Sequence, residues 1–155
     1  MPHIQPSYYA AIVAAEAIGN ANGVRAVELA IDHLRLAGYA FYERGEKEKL
    51  AKVLLINSQA YFGTNGSETL PNTRRGYIHI DFQFLRGNSL FAPPQRMTIK
   101  RLAIPHADDT SGLRWGGQTY ETDDGLVRGE VKVEKGDVSS GVDLSDTEAV
   151  LILFQ

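Results

Sequence analysis

Hydrophobic residues recur first at a helical period and then at a period of two. Tyr8, Ile12, Ala15 and Ile18 share helical spacing within an alanine-rich stretch, which predicts a helix over residues 7–18. Pro6-Ser7 supplies its start, with Ser7 as N-cap, and Gly19 can end it in the left-handed conformation. Asn20-Ala21-Asn22-Gly23 reads as a turn. Beyond it the pattern predicts strands over Val24–Ile31, Leu36–Glu43 and Leu50–Asn57, with Arg44-Gly45-Glu46-Lys47 as a hairpin connection. The run Val53-Leu54-Leu55-Ile56 predicts a strand buried on both faces, and so does Ala149–Phe154 at the end of the chain. In Gly76–Phe84, Ile78, Ile80, Phe82 and Phe84 alternate with Tyr77, His79, Asp81 and Gln83. In Leu126–Glu134, Val127, Val131 and Val133 are expected to face inward, with Arg128, Glu130, Lys132 and Glu134 toward water. Arg96–Ile104 is a further strand.

Short strands separated by turn signals predict a mainly β fold. The expected architecture is one domain over residues 1–155. It is an antiparallel β-sandwich of about eight strands over 24–155, preceded by the single N-terminal helix. The longer loops, Tyr61–Arg75 and Pro105–Gln118, are the natural places for binding.

Composition narrows the function. Hydrophobic residues make up 43% of the 155-residue chain, enough for a core, and 23% are charged. The net charge of −3 comes from mixed signs, with no Lys/Arg cluster to track a phosphate backbone. Nucleic acid is therefore not an expected partner. The absence of cysteine excludes disulfides, thiolate metal sites and a Cys nucleophile. No apolar run approaches the roughly 20 residues that span a bilayer, so no membrane partner is expected. The first residues lack a basic, apolar leader pattern. A cytoplasmic location is expected if Met1 is the native start, and a secreted one if the chain is cut from a larger enzyme.

Candidate chemistry is sparse. The four histidines, His3, His33, His79 and His106, never adopt the i, i+4 spacing of a zinc helix. No metal or cofactor is expected. His79 and Asp81 share a strand face, either as a metal or acid–base pair or as a solvated polar face. Asp108-Asp109 and Asp123-Asp124 are adjacent loop carboxylates, not a pair set across a sugar ring. Thr122-Asp123-Asp124-Gly125 has turn chemistry and lacks the spaced oxygen ligands of a calcium loop. Nucleophile-elbow and phosphate-loop motifs are absent. Asn65-Gly66-Ser67 fits a glycosylation acceptor or a tight turn. Trp115, beside Gly116-Gly117, can stack on a sugar ring while Gln118 or Arg114 bonds its hydroxyls. It can equally fold back as a plug over the sandwich edge. Tyr61 and Phe62 near Asn65 allow a similar sugar site, with the same alternative.

The order of several segments resembles the end of the β-glucuronidase and heparanase-type glycoside hydrolases. Tyr8–Gly19 is similar to the last helix associated with their catalytic barrel. Leu36–Glu43, Lys52–Asn57, Lys100–Pro105, Trp115–Gln118 and Ser145–Leu151 are similar, in order, to their C-terminal β-domain. The likeness covers nearly the whole chain and is greatest to the microbial and fungal β-glucuronidases. It implies a β-sandwich accessory domain. The family's catalytic glutamates lie on a (β/α)8 barrel, and no segment of this chain corresponds to the barrel strands. No catalytic residue is therefore carried over, and Glu16 is not one of that pair.

The leading expectation is a non-catalytic, lectin-like protein, binding a sugar through Trp115, Gln118, Arg114, Tyr61 and Asn65. The alternative is a structural accessory piece of a β-glucuronidase-like hydrolase with no ligand of its own. A hydrolase acting through His79 and Asp81 or the loop aspartates is the third. The resemblance also implies that a face normally packed on the barrel is exposed. Self-association into a homo-oligomer, or folding of the Ser7–Ile18 helix onto the sandwich, is the expected response.

Overall fold

A computed structural model describes residues 6–20, 22–63, 74–82, 85 and 93–155. Helix α1 spans Pro6–Ile18. Proline occupies its first turn, where a missing N–H costs nothing, so Ser7 lies inside the helix and is not its cap. Tyr9, Val13 and Ala17, four residues apart, form its buried stripe. Gly19, at φ 66°, ends it by donating its N–H to the Ala15 carbonyl.

Nine strands follow among the described residues. They are β1 (Val24–Glu28), β2 (Leu36–Glu43), β3 (Lys49–Asn57), β4 (Tyr77–Ile80), β5 (Arg96–Ala103), β6 (Arg114–Trp115), β7 (Glu134–Asp137), β8 (Val142–Ser145) and β9 (Glu148–Phe154). All pairings are antiparallel. A seven-stranded sheet runs β1-β2-β3-β9-β5-β6, with β7 also paired to β5, and β4-β8 forms a separate ribbon. The molecule is thus a mainly β sandwich with one N-terminal helix.

The chain's end supplies the middle of the large sheet. Strand β9 lies between β3 and β5. Its Val150, Ile152 and Phe154 meet Val53, Leu55, Met97 and Ile99 under the β4-β8 ribbon, whose Val142 and Leu144 close that core. Its Leu151 points the other way, into a cluster with Tyr9, Val13, Ala17, Phe41 and Trp115. A strand with a layer on each side must be apolar throughout, as Ala149–Phe154 and Val53–Ile56 are. The helix folds back onto the sheet, one of the two responses expected for an apolar face.

Several boundaries differ from the sequence pattern. Pairing of β1 stops at Glu28, and β4 is shorter than Gly76–Phe84; Phe84 lies outside the described residues. Strand β6 emerges from a stretch expected to be loop, and β8 from one for which the pattern predicts no element. The expected strand over Leu126–Glu134 does not form as such: ladder pairing begins only at Glu134. Leu126 and Val131 are 59% and 58% exposed, and Val127 and Val133 are also exposed. Gly129, at φ 94°, breaks the extended run. The segment is held at Thr119, which exchanges two backbone hydrogen bonds with Arg128, and by Lys132 N–H to the Gly116 carbonyl.

Leu151 is fully buried and Leu34 fully exposed. Leu151→Ala is expected to cost about 2–5 kcal/mol in urea denaturation, and Leu34→Ala to stay within about 0.5 kcal/mol.

Candidate functional site

Trp115 is 1% exposed. Its indole Nε1 donates to Glu16 Oε2 on α1 at 2.7 Å, and Lys100 Nζ bonds the same carboxylate at 2.8 Å. Lys100 also lies 4.9 Å from the centre of the indole ring. A ring enclosed in this way offers no face to a sugar, so Trp115 plugs the sandwich edge and the stacking role is corrected. The carboxylate of Glu16 instead anchors helix to sheet.

The other predicted residues divide. Arg114 and Gln118 share the Trp115 hairpin, which closes through Trp115 N–H to the Gln118 carbonyl at 2.9 Å. Gln118 donates to the Gly129 carbonyl, and Arg114 donates to the Gly117 carbonyl at 3.3 Å. Tyr61 sits apart, stacked on His106 at 5.4 Å, with the Arg75 guanidinium 5.6 Å from its ring centre. Asn65 lies outside the described residues, as does His3. Trp115, Gln118 and Arg114 are therefore one cluster, which Tyr61 does not join.

His79 bonds Asp143 across the β4-β8 ribbon at 2.7 Å. His79 and Asp81 line an apolar cavity of about 480 Å³ beside Leu29, Ile31, Ile78 and Phe82. His33 accepts from the Arg35 N–H. Asp124 accepts from Leu126 N–H and pairs with Arg128, as a turn residue does. Asp108 accepts from Gly63 N–H, which holds its carboxyl below the usual aspartate range. Among the described residues no group of three His, Asp or Glu side chains is arranged to hold a metal ion.

A second cavity, of about 510 Å³, lies between the Ile99, Arg101 and Ala103 face of β5, the 112–117 hairpin and residues 132–134. Four cations line it: Arg75, Arg101, Arg114 and Lys132. Arg101 is neutralised by Glu134 at 2.7 Å and by the buried Glu148 at 2.9 Å. Both carboxylates are thereby spent on one guanidinium, and Glu148 accepts the Ser145 N–H as well. Among the described residues Arg75 bonds main-chain carbonyls, those of Ile104, Asp146 and Thr147. The latter two form the β8–β9 turn, where Thr147 adopts φ 56°. That left-handed conformation is held by its hydroxyl, which accepts from Tyr61 N–H and donates to the Gln59 carbonyl.

The glycosyl hydrolase family 79 C-terminal beta domain model matches residues 38–151. The chain belongs to this family. A crystal structure of a 4-O-α-L-rhamnosyl-β-D-glucuronidase from Fusarium oxysporum 12S, in complex with Rha-GlcA, is similar to the family 79 β-domain described here. Identity is 27% and the TM-score 0.65, over 94% of this chain and 29% of that one. This chain thus spans under a third of that enzyme's length. No curated protein gives a significant match.

Sequence reasoning about the family 79 β-domain missed Glu16, Lys100, Arg75 and Arg101 as organising charges. Only the Lys100-Arg101 pair, inside an otherwise apolar strand pattern, could have hinted at partners across the sheet. Trp115 is the single tryptophan, so its fluorescence should be blue-shifted, and a water-like emission maximum would contradict its burial. Trp115→Phe should cost about 1–3 kcal/mol, because the buried ring shrinks and the indole N–H bond to Glu16 is lost, and Glu16→Gln should be non-additive with it. A lowered folded-state pKa makes Asp108's stabilisation present above its unfolded pKa and lost as acid protonates it. Gly63 amide exchange, corrected for intrinsic rates, should therefore be more protected at pH 6 than near pH 3.

Proposed function

We propose that this chain is a non-catalytic domain of a family 79 glycoside hydrolase, built to support a catalytic domain by docking on it. The observation that carries this reading is the segment from Leu126 to Val133, four of whose apolar side chains stand in water. Valines alternating with charges are the pattern of a strand with one covered face, yet among the described residues no layer covers this one. Exposed apolar patches of this kind mark interaction surfaces. The segment is linked to the helix through Thr119, whose backbone pairs with Arg128. Tyr9 Oη accepts the Tyr120 N–H at 2.9 Å and meets Thr119 Oγ1, and the exposed Tyr8 packs edge-on against Tyr120 at 5.6 Å.

The occupant is the catalytic portion of the same enzyme. The matched family model describes a C-terminal domain, and the similar glucuronidase extends well beyond the part this chain covers. Supporting chemistry elsewhere is the role that the arrangement of charges favours. Beside the cationic cavity, Glu134 and Glu148 are engaged by Arg101 and serve the fold. Hydrolysis of an aryl glucuronide by the chain alone would contradict this reading.

Carbohydrate binding is the second reading, and the cavity beside Arg114 favours it. Its volume suits a saccharide, and it combines an apolar floor with exposed donors.

The docking reading is tested with the catalytic portion supplied separately. The chain should bind it and raise its melting temperature. Leu126→Lys with Val131→Asp should weaken that binding by at least tenfold, while the chain's own stability changes by less than about 1 kcal/mol. Equal binding by the double variant would overturn the assignment of the patch.

A further inference from the structure

The cavity between β5 and the 112–117 hairpin carries excess positive charge on a chain whose net charge is −3. Four cations line it, and among the described residues the only carboxylates paired with them are Glu134 and Glu148, both on Arg101. Arg75 is not ion-paired among the described residues, where its partners are carbonyl groups and the face of Tyr61. The nearby Asp146 carboxylate is turned to Gly76 N–H and Asn57 Nδ2. Arg114 spends one N–H on the Gly117 carbonyl, and Lys132 makes no ion pair among the described residues. Both are exposed, so an anion can reach them without prior unpairing.

The floor is a different surface. Ile99, Ala103, Ile104, Pro105 and Val133 line it, an apolar strip suited to the C–H face of a sugar ring. Backbone-fixed Arg75 sets a steady positive field, while Arg114 and Lys132 supply mobile donors. An inorganic anion would use the cations and leave the floor wet. A neutral sugar would use the floor and leave two desolvated cations without a counter-charge.

We propose that this groove binds an acidic saccharide, its carboxylate held by Arg114 and Lys132 and its ring lying on the apolar floor. The proposal rests on the carbohydrate-binding reading above and adds the class of sugar. An open, solvated site with two charge-assisted contacts gives a dissociation constant on the order of millimolar.

The experiment is an amide NMR titration of the full chain at constant ionic strength, using glucuronate, glucose and sodium sulfate in separate arms. Glucuronate should shift the amides of Gly112–Gly117 and Lys132–Glu134, and bind at least tenfold tighter than glucose or sulfate. Arg114→Ala with Lys132→Ala should lower glucuronate affinity at least tenfold with the buried emission of Trp115 unchanged. Equal binding of glucose and glucuronate would leave the sugar-binding reading standing and overturn the acidic preference. Sulfate binding as tight as glucuronate would show a simple anion site and overturn saccharide recognition. Silence in all arms would overturn both.

Discussion

Strand β9 needs cover on both faces, and the layout follows from that need. Its alternating residues are buried above and below, so the β4-β8 ribbon must close one side and helix α1 the other. A two-layer sandwich would leave Leu151, Phe41 and Trp115 in water. The helix is held over them by apolar contact and by one carboxylate, Glu16, which accepts from the Trp115 indole and from Lys100. This bond secures a residue of α1 to the otherwise short β6, and through it to the 112–118 hairpin. The hairpin's position then sets the wall of the cationic groove.

The described surface has two unequal regions beside that hairpin. One is the Leu126–Val133 segment, apolar and weakly tied to the sheet. The other is the groove, polar at its rim and anchored on β5. Gly117 and Val133 belong to the neighbourhood of both. A docked domain would therefore lie next to the groove, so anything bound in the groove would sit near the interface. Ion pairing inside the groove serves stability first: Arg101 is half buried and bridges β5 to β7 and β9.

The sequence made the central strands legible because burial on two faces leaves an unbroken apolar run, as in Val53–Ile56 and Ala149–Phe154. The helix was legible from Ala content and the Gly19 stop. Leu126–Glu134 misled because periodicity reports which side of a segment is apolar, not whether anything packs there. Trp115 illustrates the same limit for sites. A tryptophan beside glycines reads as a loop platform, but its fate depended on Glu16 and Lys100, far away in sequence. Arg75 and Arg101 could not be recognised as partners of Thr147 and Glu148 without the turn that brings β8 into β9.

Hydrogen exchange on the chain, with and without the catalytic portion, tests the central claim most directly. The account predicts rapid exchange at Val127 and Val131 in isolation, marked slowing in the complex, and slow exchange in β9 throughout. Unchanged exchange across residues 126–133 in a formed complex would contradict it.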